Sequence, residues 1–327
     1  MKAVFYEKYG APEVLQIKEI EKPVPSGNKV LVKIHASSIN YGDRMLVSGK
    51  PFLIRLMGFG ILKPKHKILG GDIAGTVEAV GESVTGFKPG DMVYADIGEN
   101  GFGGYAEYVS VSEDLLTLKP SNISFKEAGA VPQAAAVALL GLRDKGEIKS
   151  GDKVLINGAS GAIGTFAVQI AKAYDTEVTG VCSTGNVELV QSIGADHVID
   201  YKKEDFTKGE ARYDLILDIV ANKPTQDYVK ALNPSGRYVA VAFNASTLFF
   251  GSRYSKNGKK AVSLSHEPSV EDLIFIRELI EAGKVKPVVD KVFPLSEIAE
   301  AMRYHEHGNP HGKVVTVSYT HLTLPTN

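Results

Sequence analysis

The chain has 327 residues, of which 44% are hydrophobic and 23% charged, and these fractions exclude a disordered or fibrous protein. Its 37 lysines and arginines balance 38 aspartates and glutamates, so the chain as a whole has no electrostatic reason to bind nucleic acid or anionic lipid. The one cysteine, Cys182, excludes an intrachain disulfide and a cysteine-based zinc site. We expect no membrane span and a cytoplasmic location.

The first 120 residues predict short β-strands separated by turns. β-Branched residues are enriched at 30–36, 73–80 and 92–96, with glycine- and proline-containing turns between these stretches. Short strands at regular spacing are typical of a small barrel or sandwich.

Beyond residue 120 the pattern alternates between strands and helices, which indicates parallel βαβ units in a doubly wound sheet. The predicted strands are 153–157, 177–182, 197–200, 214–220 and 237–243, and the predicted helices are 162–174, 187–193 and 224–232. Two amphipathic helices are predicted further on, at 270–283 and 296–305. The final ten residues, 318–327, match nothing before them, and we predict that they are a non-native tail.

The most specific local signal is a small-residue turn between a strand and a helix, at residues 154–164 (VLINGASGAIG). Gly158 and Gly161 let the backbone turn sharply and approach a pyrophosphate, and Gly164 lets the helix pack close to the strand. The start of the helix offers N–H groups and a partial positive charge to phosphates. Because the spacing is G-x-x-G-x-x-G, a turn without a ligand stays open as the alternative.

The end of the next strand indicates which nucleotide fits. NAD sites carry an acidic residue there for the ribose 2′-OH, whereas this chain has Ser183, Thr184 and Asn186 and no acid in that segment. Their hydroxyl and amide groups can donate to a 2′-phosphate, so we expect NADPH rather than NADH. A plain polar turn is the alternative.

Seven collinear motifs carry a resemblance to a known family. They are residues 38–43 (SINYGD), 71–75 (GDIAG), 88–91 (KPGD), 103–108 (GGYAEY), 142–144 (LRD), 194–201 (GADHVIDY) and 312–315 (GKVV). With them the chain resembles the medium-chain dehydrogenase/reductase superfamily, and in particular its zinc-free quinone-oxidoreductase-like branch, which includes the ζ-crystallin-like reductases. The resemblance covers residues 1–317. It implies an α/β protein with a GroES-like β-rich catalytic domain (1–122), a Rossmann NADP-binding domain with a doubly wound parallel sheet (123–264) and a return segment (265–317).

The resemblance also implies a set of binding residues. NADPH would contact Ser160, Gly161, Ala162, Ile163, Ser183, Thr184, Tyr201, Val220, Asn222, Phe243 and Lys313. Many relatives have Arg or Lys where this chain has Gly185, which weakens the case for strict NADPH selectivity. Zinc-dependent members carry a Cys and a His-Glu pair where this chain has Asn40 and Gly71-Asp72, so we expect no zinc.

Without a metal to polarise a ketone, the expected substrate is a small hydrophobic quinone or enone that accepts hydride readily. Asn40 and Tyr41 are candidates for lining the catalytic cleft, with Tyr41 either a proton donor or a packing aromatic, and Asp43 is expected to fix its loop. The segment 51–67 is either a lid or a packing loop, and a homodimer is an open alternative.

Two other functions stay open: an NADPH-binding regulatory protein without turnover, and an enoyl-thioester reductase. A short-chain dehydrogenase is excluded, because no tyrosine has a lysine four residues later.

Overall fold

The computed structural model describes residues 1–318, except for residues 99–100, 243–246, 248–250, 252, 256–257 and 265–268. The chain forms two compact units. The first comprises Met1–Gln133, Pro268–Arg277 and Val289–Asn327, and the second comprises Ala134–Glu267 and Glu278–Val288. In the described part of the chain, none of the helices has the length and apolar character that crossing a bilayer requires.

The described part of the chain contains the following strands and α-helices. The strands, in chain order, are β1 (Lys2–Phe5), β2 (Gln16–Glu19), β3 (Lys29–Ser38), β4 (Asp72–Val80), β5 (Met92–Asp96), β6 (Tyr108–Ser112), β7 (Thr117–Leu118), β8 (Lys153–Asn157), β9 (Glu177–Cys182), β10 (His197–Asp200), β11 (Tyr213–Asp218), β12 (Leu232–Ala240), β13 (Lys260–Ser263), β14 (Val289–Pro294) and β15 (Lys313–Val317). The helices are α1 (Tyr41–Ser48), α2 (Phe125–Gly129), α3 (Pro132–Leu140), α4 (Ala162–Ala173), α5 (Val187–Ser192), α6 (Thr225–Lys230), α7 (Val270–Glu281) and α8 (Ile298–His307).

The first unit is built around a largely antiparallel sheet in the order β14-β15-β3-β4-β5-β7, with β6 also paired to β3. Alternating valines and isoleucines of β3 bury one face of this sheet in a cluster that includes Val30, Val32 and Ile34. The unit extends past the predicted boundary at residue 122, because Ala130, just after α2, packs with Ala36 and Val315 in a second cluster.

The second unit is a six-stranded sheet in the order β10-β9-β8-β11-β12-β13, and all of its pairings are parallel. Counted from β8, this is the strand order 3-2-1-4-5-6 of a dinucleotide-binding fold, which confirms the predicted α/β class. The order reverses between β8 and β11, and nucleotides bind at such a reversal, outside the carboxyl ends of the strands.

Several predicted strands of the second unit agree with the observed ones, because a short apolar run between two turns marks each of them. The predicted strands 153–157, 177–182 and 197–200 coincide with β8, β9 and β10. The predicted strand 237–243 is displaced, because β12 spans Leu232–Ala240. Phe243, and the predicted tail from residue 319 onward, lie outside the described residues.

Candidate active site

The turn after β8 is open on one side because of its glycines. Gly158 has a φ of +93°, in the left-handed region that favours glycine. Gly164 lies so close to the turn that a Cβ there would be 2.1 Å from the Gly158 carbonyl oxygen. At Gly161 a Cβ would meet nothing nearer than that same oxygen, at 3.5 Å. The turn therefore has room for a ligand at Gly161 and none at Gly164.

Gly161 also caps α4, with φ −81° and ψ 179°. The first bond of this helix runs from the Thr165 N–H to the Gly161 carbonyl, at 3.0 Å, so the N–H groups of Ala162 and Ile163 have no acceptor within the helix. N–H groups at the start of a twelve-residue helix, next to an open turn, fit a pyrophosphate.

The predicted cofactor-binding residues of the second unit follow the carboxyl ends of four adjacent strands. Ser160–Ile163 follow β8, Ser183 and Thr184 follow β9, Tyr201 follows β10, and Val220 and Asn222 follow β11. Parallel strands end at the same edge of a sheet, so one edge carries all of them. The parallel pairing of these strands brings together residues that are about sixty positions apart in the chain.

The turn after β9 lies beside a carboxylate that its own sequence segment does not contain, and the predicted contact of Thr184 with a 2′-phosphate stays a prediction. The sequence segment contains no acid, but the structure brings the Asp200 carboxylate from the end of β10 to within 2.7 Å of the Thr184 hydroxyl, which donates to it. This hydrogen bond, the Lys202 N–H and the Lys203 ammonium together hold the pKa of Asp200 below its usual range. Thr184 donates its one hydroxyl proton to this carboxylate, so it would have to break this hydrogen bond in order to donate to a 2′-phosphate.

Ser183 is the hydroxyl donor left at this turn. Among the residues that the structure describes, its side chain has no hydrogen-bond partner, whereas the Asn186 amide donates to the Ser160 hydroxyl at 2.9 Å. Lys203 lies 3.6 Å from Asp200 and adds a cation beside the turn. Cys182, at the end of β9, is buried, and burial raises the pKa of its thiol to about 11, which disfavours the reactive thiolate form.

A buried polar network supports the edge between β8 and β11, and sequence reasoning missed it. The Asp218 carboxylate accepts from the Asn157 amide at 2.8 Å, from the Tyr238 hydroxyl at 2.8 Å and from the Ala221 N–H at 3.0 Å. Ala221 has a φ of +54°, so Asp218 holds the backbone of this turn in a strained conformation. The Tyr228 hydroxyl donates to the side-chain oxygen Oδ1 of Asn222 at 3.0 Å, which fixes that side chain.

The first unit contains a buried ion pair at the predicted catalytic residue. Lys313 and Asp72 are both fully buried, with Lys313 Nζ 3.1 Å from Asp72 Oδ2. Lys313 also donates to the side-chain oxygen Oδ1 of Asn40 at 2.6 Å, and Asn40 Nδ2 donates to Asp72 Oδ2 at 2.9 Å. Asp72 further accepts the Gln133 N–H at the start of α3, at 2.8 Å. Asn40 is thus held in one orientation, and within the described residues its second amide hydrogen has no partner.

Asp43 fixes the start of α1, as expected. It accepts the Asn40 N–H at 2.9 Å in a capping box and the Tyr105 hydroxyl at 2.8 Å. Burial raises the pKa of Asp43 to about 6. Tyr41, two residues earlier, is 66% exposed, so its alternative interpretation as a packing aromatic is wrong.

The donor set around Lys313 does not fit zinc. The positions that match the family's zinc ligands hold an amide (Asn40), a glycine (Gly71) and one carboxylate (Asp72), and an ammonium group lies against the amide and the carboxylate. Zinc requires three or four nitrogen, sulfur or carboxylate ligands from the protein. In the described part of the chain, no group of three His, Cys, Asp or Glu residues is arranged to hold a metal ion.

Comparison with known proteins agrees with this architecture. Residues 26–121 match the family "Alcohol dehydrogenase GroES-like domain", and residues 193–316 match the family "Zinc-binding dehydrogenase". The chain is 34% identical to the "Quinone-oxidoreductase QR1, chloroplastic" of Triphysaria versicolor, over 96% of this chain and 98% of that protein. It is also 34% identical to the "NADPH-dependent alkenal/one oxidoreductase, chloroplastic" of Arabidopsis thaliana, over 96% of this chain and 79% of that protein.

A solved structure, that of the quinone oxidoreductase from Coxiella burnetii, superimposes with a TM-score of 0.86 at 29% identity and covers 98% of this chain and 99% of that chain. Both the sequence relatives and the fold therefore confirm the resemblance carried by the seven motifs. The chain belongs to the medium-chain dehydrogenase/reductase superfamily, a family of oxidoreductases, in its quinone-oxidoreductase-like branch.

Proposed function

We propose that this protein is a zinc-independent, NADPH-dependent oxidoreductase that transfers hydride to a quinone or an α,β-unsaturated carbonyl compound. The observation that carries the proposal is the edge formed by β10, β9, β8 and β11, where an open glycine turn and a helix start adjoin polar turns. The named relatives include a quinone oxidoreductase and an NADPH-dependent alkenal/one oxidoreductase. For the cellular location we propose the cytoplasm.

In this proposal the second unit holds the cofactor through contacts along that edge. Gly161 and the N–H groups of Ala162 and Ile163 bind the pyrophosphate, and the Ser183 hydroxyl donates to the 2′-phosphate. Lys203 supplies positive charge that offsets the negative charge of Asp200. In this proposal it attracts the 2′-phosphate in place of the Arg or Lys that many relatives have where this chain has Gly185. Tyr201 and Val220, which are both about half exposed, border the adenosine.

When bound, NADPH supplies the hydride, and Asn40 and Tyr41 are the groups that we propose for the acceptor. When hydride adds to the β-carbon of an enone, the electron pair moves to the carbonyl oxygen, which needs a hydrogen-bond donor as negative charge develops. The oriented Asn40 amide has one N–H left for this oxygen, since Lys313 and Asp72 fix its other contacts. A proton from the exposed Tyr41 hydroxyl or from solvent completes the reduction.

Zinc independence is supported by Asn40 and Asp72, whose side chains lie at the positions of the zinc ligands of zinc-dependent members. Lys313 brings a fixed positive charge to the amide and carboxylate that would otherwise face a metal. An acceptor that already takes hydride readily requires no Lewis acid, so positioning of the two reactants can carry the catalysis.

A panel of acceptors tests the proposal. We expect NADPH oxidation, followed by absorbance, with simple quinones or enones. Turnover of crotonyl-type thioesters alone would instead assign the chain to the enoyl-thioester reductases. NADPH binding with no turnover of any of these acceptors would support the regulatory alternative and contradict the proposal.

A further inference from the structure

The segment 50–67 of the first unit presents an unusual concentration of apolar side chains to solvent. The structure describes thirteen exposed large hydrophobic residues, of which six lie within this segment. They are Phe52, Leu53, Leu56, Met57, Ile61 and Leu62, and their exposed fractions run from 54% to 88%. Such a cluster of solvent-exposed apolar side chains indicates a surface that binds a protein, a membrane or a ligand.

The segment is held in place, so the exposure is built into the fold. Ile54 and Phe59 pack against the hydrophobic core of the first unit. The Tyr9 hydroxyl donates to the Phe59 carbonyl at 3.0 Å, and Arg55 Nε donates to the Gly49 carbonyl at 3.0 Å, with its guanidinium 4.2 Å from the centre of the Tyr9 ring. The remaining apolar side chains are therefore held outward by a fixed backbone.

The charged residues within and next to this segment in the sequence are all basic, although Arg44 is paired with Glu306 of α8. Residues 44–71 contain six lysines and arginines and no aspartate or glutamate, although the whole chain has a net charge of −1. Lys50, Lys63, Lys65 and Lys67 are exposed, and none of them has an acidic partner within the described part of the chain. The expectation that the chain has no electrostatic attraction to anionic lipid holds for the average charge but not for this surface.

From these observations we infer that segment 50–67 docks the protein onto an anionic lipid bilayer. The apolar side chains enter the boundary between head groups and acyl chains, and the lysines contact lipid phosphates. A second copy of the chain fits less well, because a symmetric contact would bring the same cluster of lysines against itself. A lid over a small acceptor would use the apolar residues but would leave four lysines without a role.

Flotation with lipid vesicles tests this inference. We expect the wild-type protein to float with vesicles of phosphatidylcholine mixed with phosphatidylglycerol, and far less with phosphatidylcholine alone. Two double variants, Leu56→Ser with Met57→Ser and Lys63→Glu with Lys65→Glu, should each lower the partition coefficient at least ~10-fold. The matched controls, Val24→Ser with Met92→Ser and Lys88→Glu with Lys208→Glu, change exposed residues elsewhere and should bind as the wild type does.

Melting temperatures of all variants should stay close to that of the wild type, since every changed residue is exposed. The inference is overturned if the wild type does not bind anionic vesicles, or if the controls weaken binding as much as the segment variants do. It is equally overturned if the Leu56→Ser, Met57→Ser variant splits a dimer, which would assign the surface to a second copy. A raised KM for a water-soluble acceptor with unchanged vesicle binding would assign it to a substrate lid.

Discussion

Gly161 and Gly164 lie three residues apart, but a side chain would meet different surroundings at the two positions. A Cβ at Gly161 would be 3.5 Å from its nearest neighbour, and the backbone there is extended, which valine tolerates. We expect Gly161→Val to weaken NADPH binding at least ~10-fold, about 1.4 kcal/mol, because the side chain fills the space of the pyrophosphate. The melting temperature without cofactor should fall little, since the loss of a glycine cap costs under about 1 kcal/mol. Titration and thermal melting measure the two quantities.

Gly164→Val is the matched control for that experiment. Its Cβ would be 2.1 Å from the Gly158 carbonyl oxygen, so the strand and helix must separate and the melting temperature should drop sharply. Normal NADPH binding by Gly161→Val would place the pyrophosphate elsewhere and refute the interpretation of residues 153–174.

Ser183 is the residue on which nucleotide preference is predicted to depend. Its hydroxyl has no partner among the described residues, whereas the hydroxyl of Thr184 donates to Asp200. We expect wild-type protein to bind NADPH more tightly than NADH, and Ser183→Asp to shift the preference toward NADH by repelling the 2′-phosphate. Ser183→Ala separates loss of the hydroxyl from added charge. Equal wild-type affinities for the two nucleotides would contradict the prediction.

At the level of elements, the start of α1 should make stability depend on pH. Burial raises the pKa of Asp43 to about 6, from 3.8 when exposed, so the folded protein holds this proton more tightly than the unfolded chain does. The free energy of unfolding should therefore fall by about 2 kcal/mol as the pH rises from about 4 to about 7.

Asp43→Asn should remove this part of the pH dependence, because the amide carries no charge and its oxygen still accepts from the Asn40 N–H. Denaturant unfolding of wild type and variant at both ends of the range measures the difference. Equal slopes in the two proteins would mean that Asp43 ionises equally in the folded and unfolded states.

The elements also show what the sequence could and could not predict. β8, β9 and β10 were predictable because buried parallel strands are short apolar runs bounded by turns. α1 was missed, although the pair Asn40 and Asp43 carries the signal of a capping box. The contact of Thr184 with Asp200 depends on the pairing of two strands, and a register between strands leaves no local mark in the sequence.

Over the whole molecule, the longest-range contacts of the site were the least predictable. Lys313 contacts Asn40 across 273 positions and Asp72 across 241, and only the return of β15 to the sheet of the first unit brings these residues together. The resemblance identified Lys313 as a cofactor contact. The fold instead buries its ammonium fully, where it orients Asn40.

That burial leads to a prediction about metal content. Lys313 Nζ lies 2.6 Å from the Asn40 oxygen and 3.1 Å from Asp72 Oδ2, so zinc would have to displace an ammonium or bind beside it against strong repulsion. It would also find one carboxylate where catalytic zinc takes three protein ligands. We expect purified protein to contain no stoichiometric zinc by elemental analysis, and its turnover to be unchanged by a strong chelator that inactivates a zinc-dependent alcohol dehydrogenase treated in parallel. Lys313→Met should lower stability by about 3–5 kcal/mol by leaving Asp72 unpaired, without creating a zinc requirement. Stoichiometric zinc whose removal abolishes turnover would show that the buried lysine does not take the place of the metal.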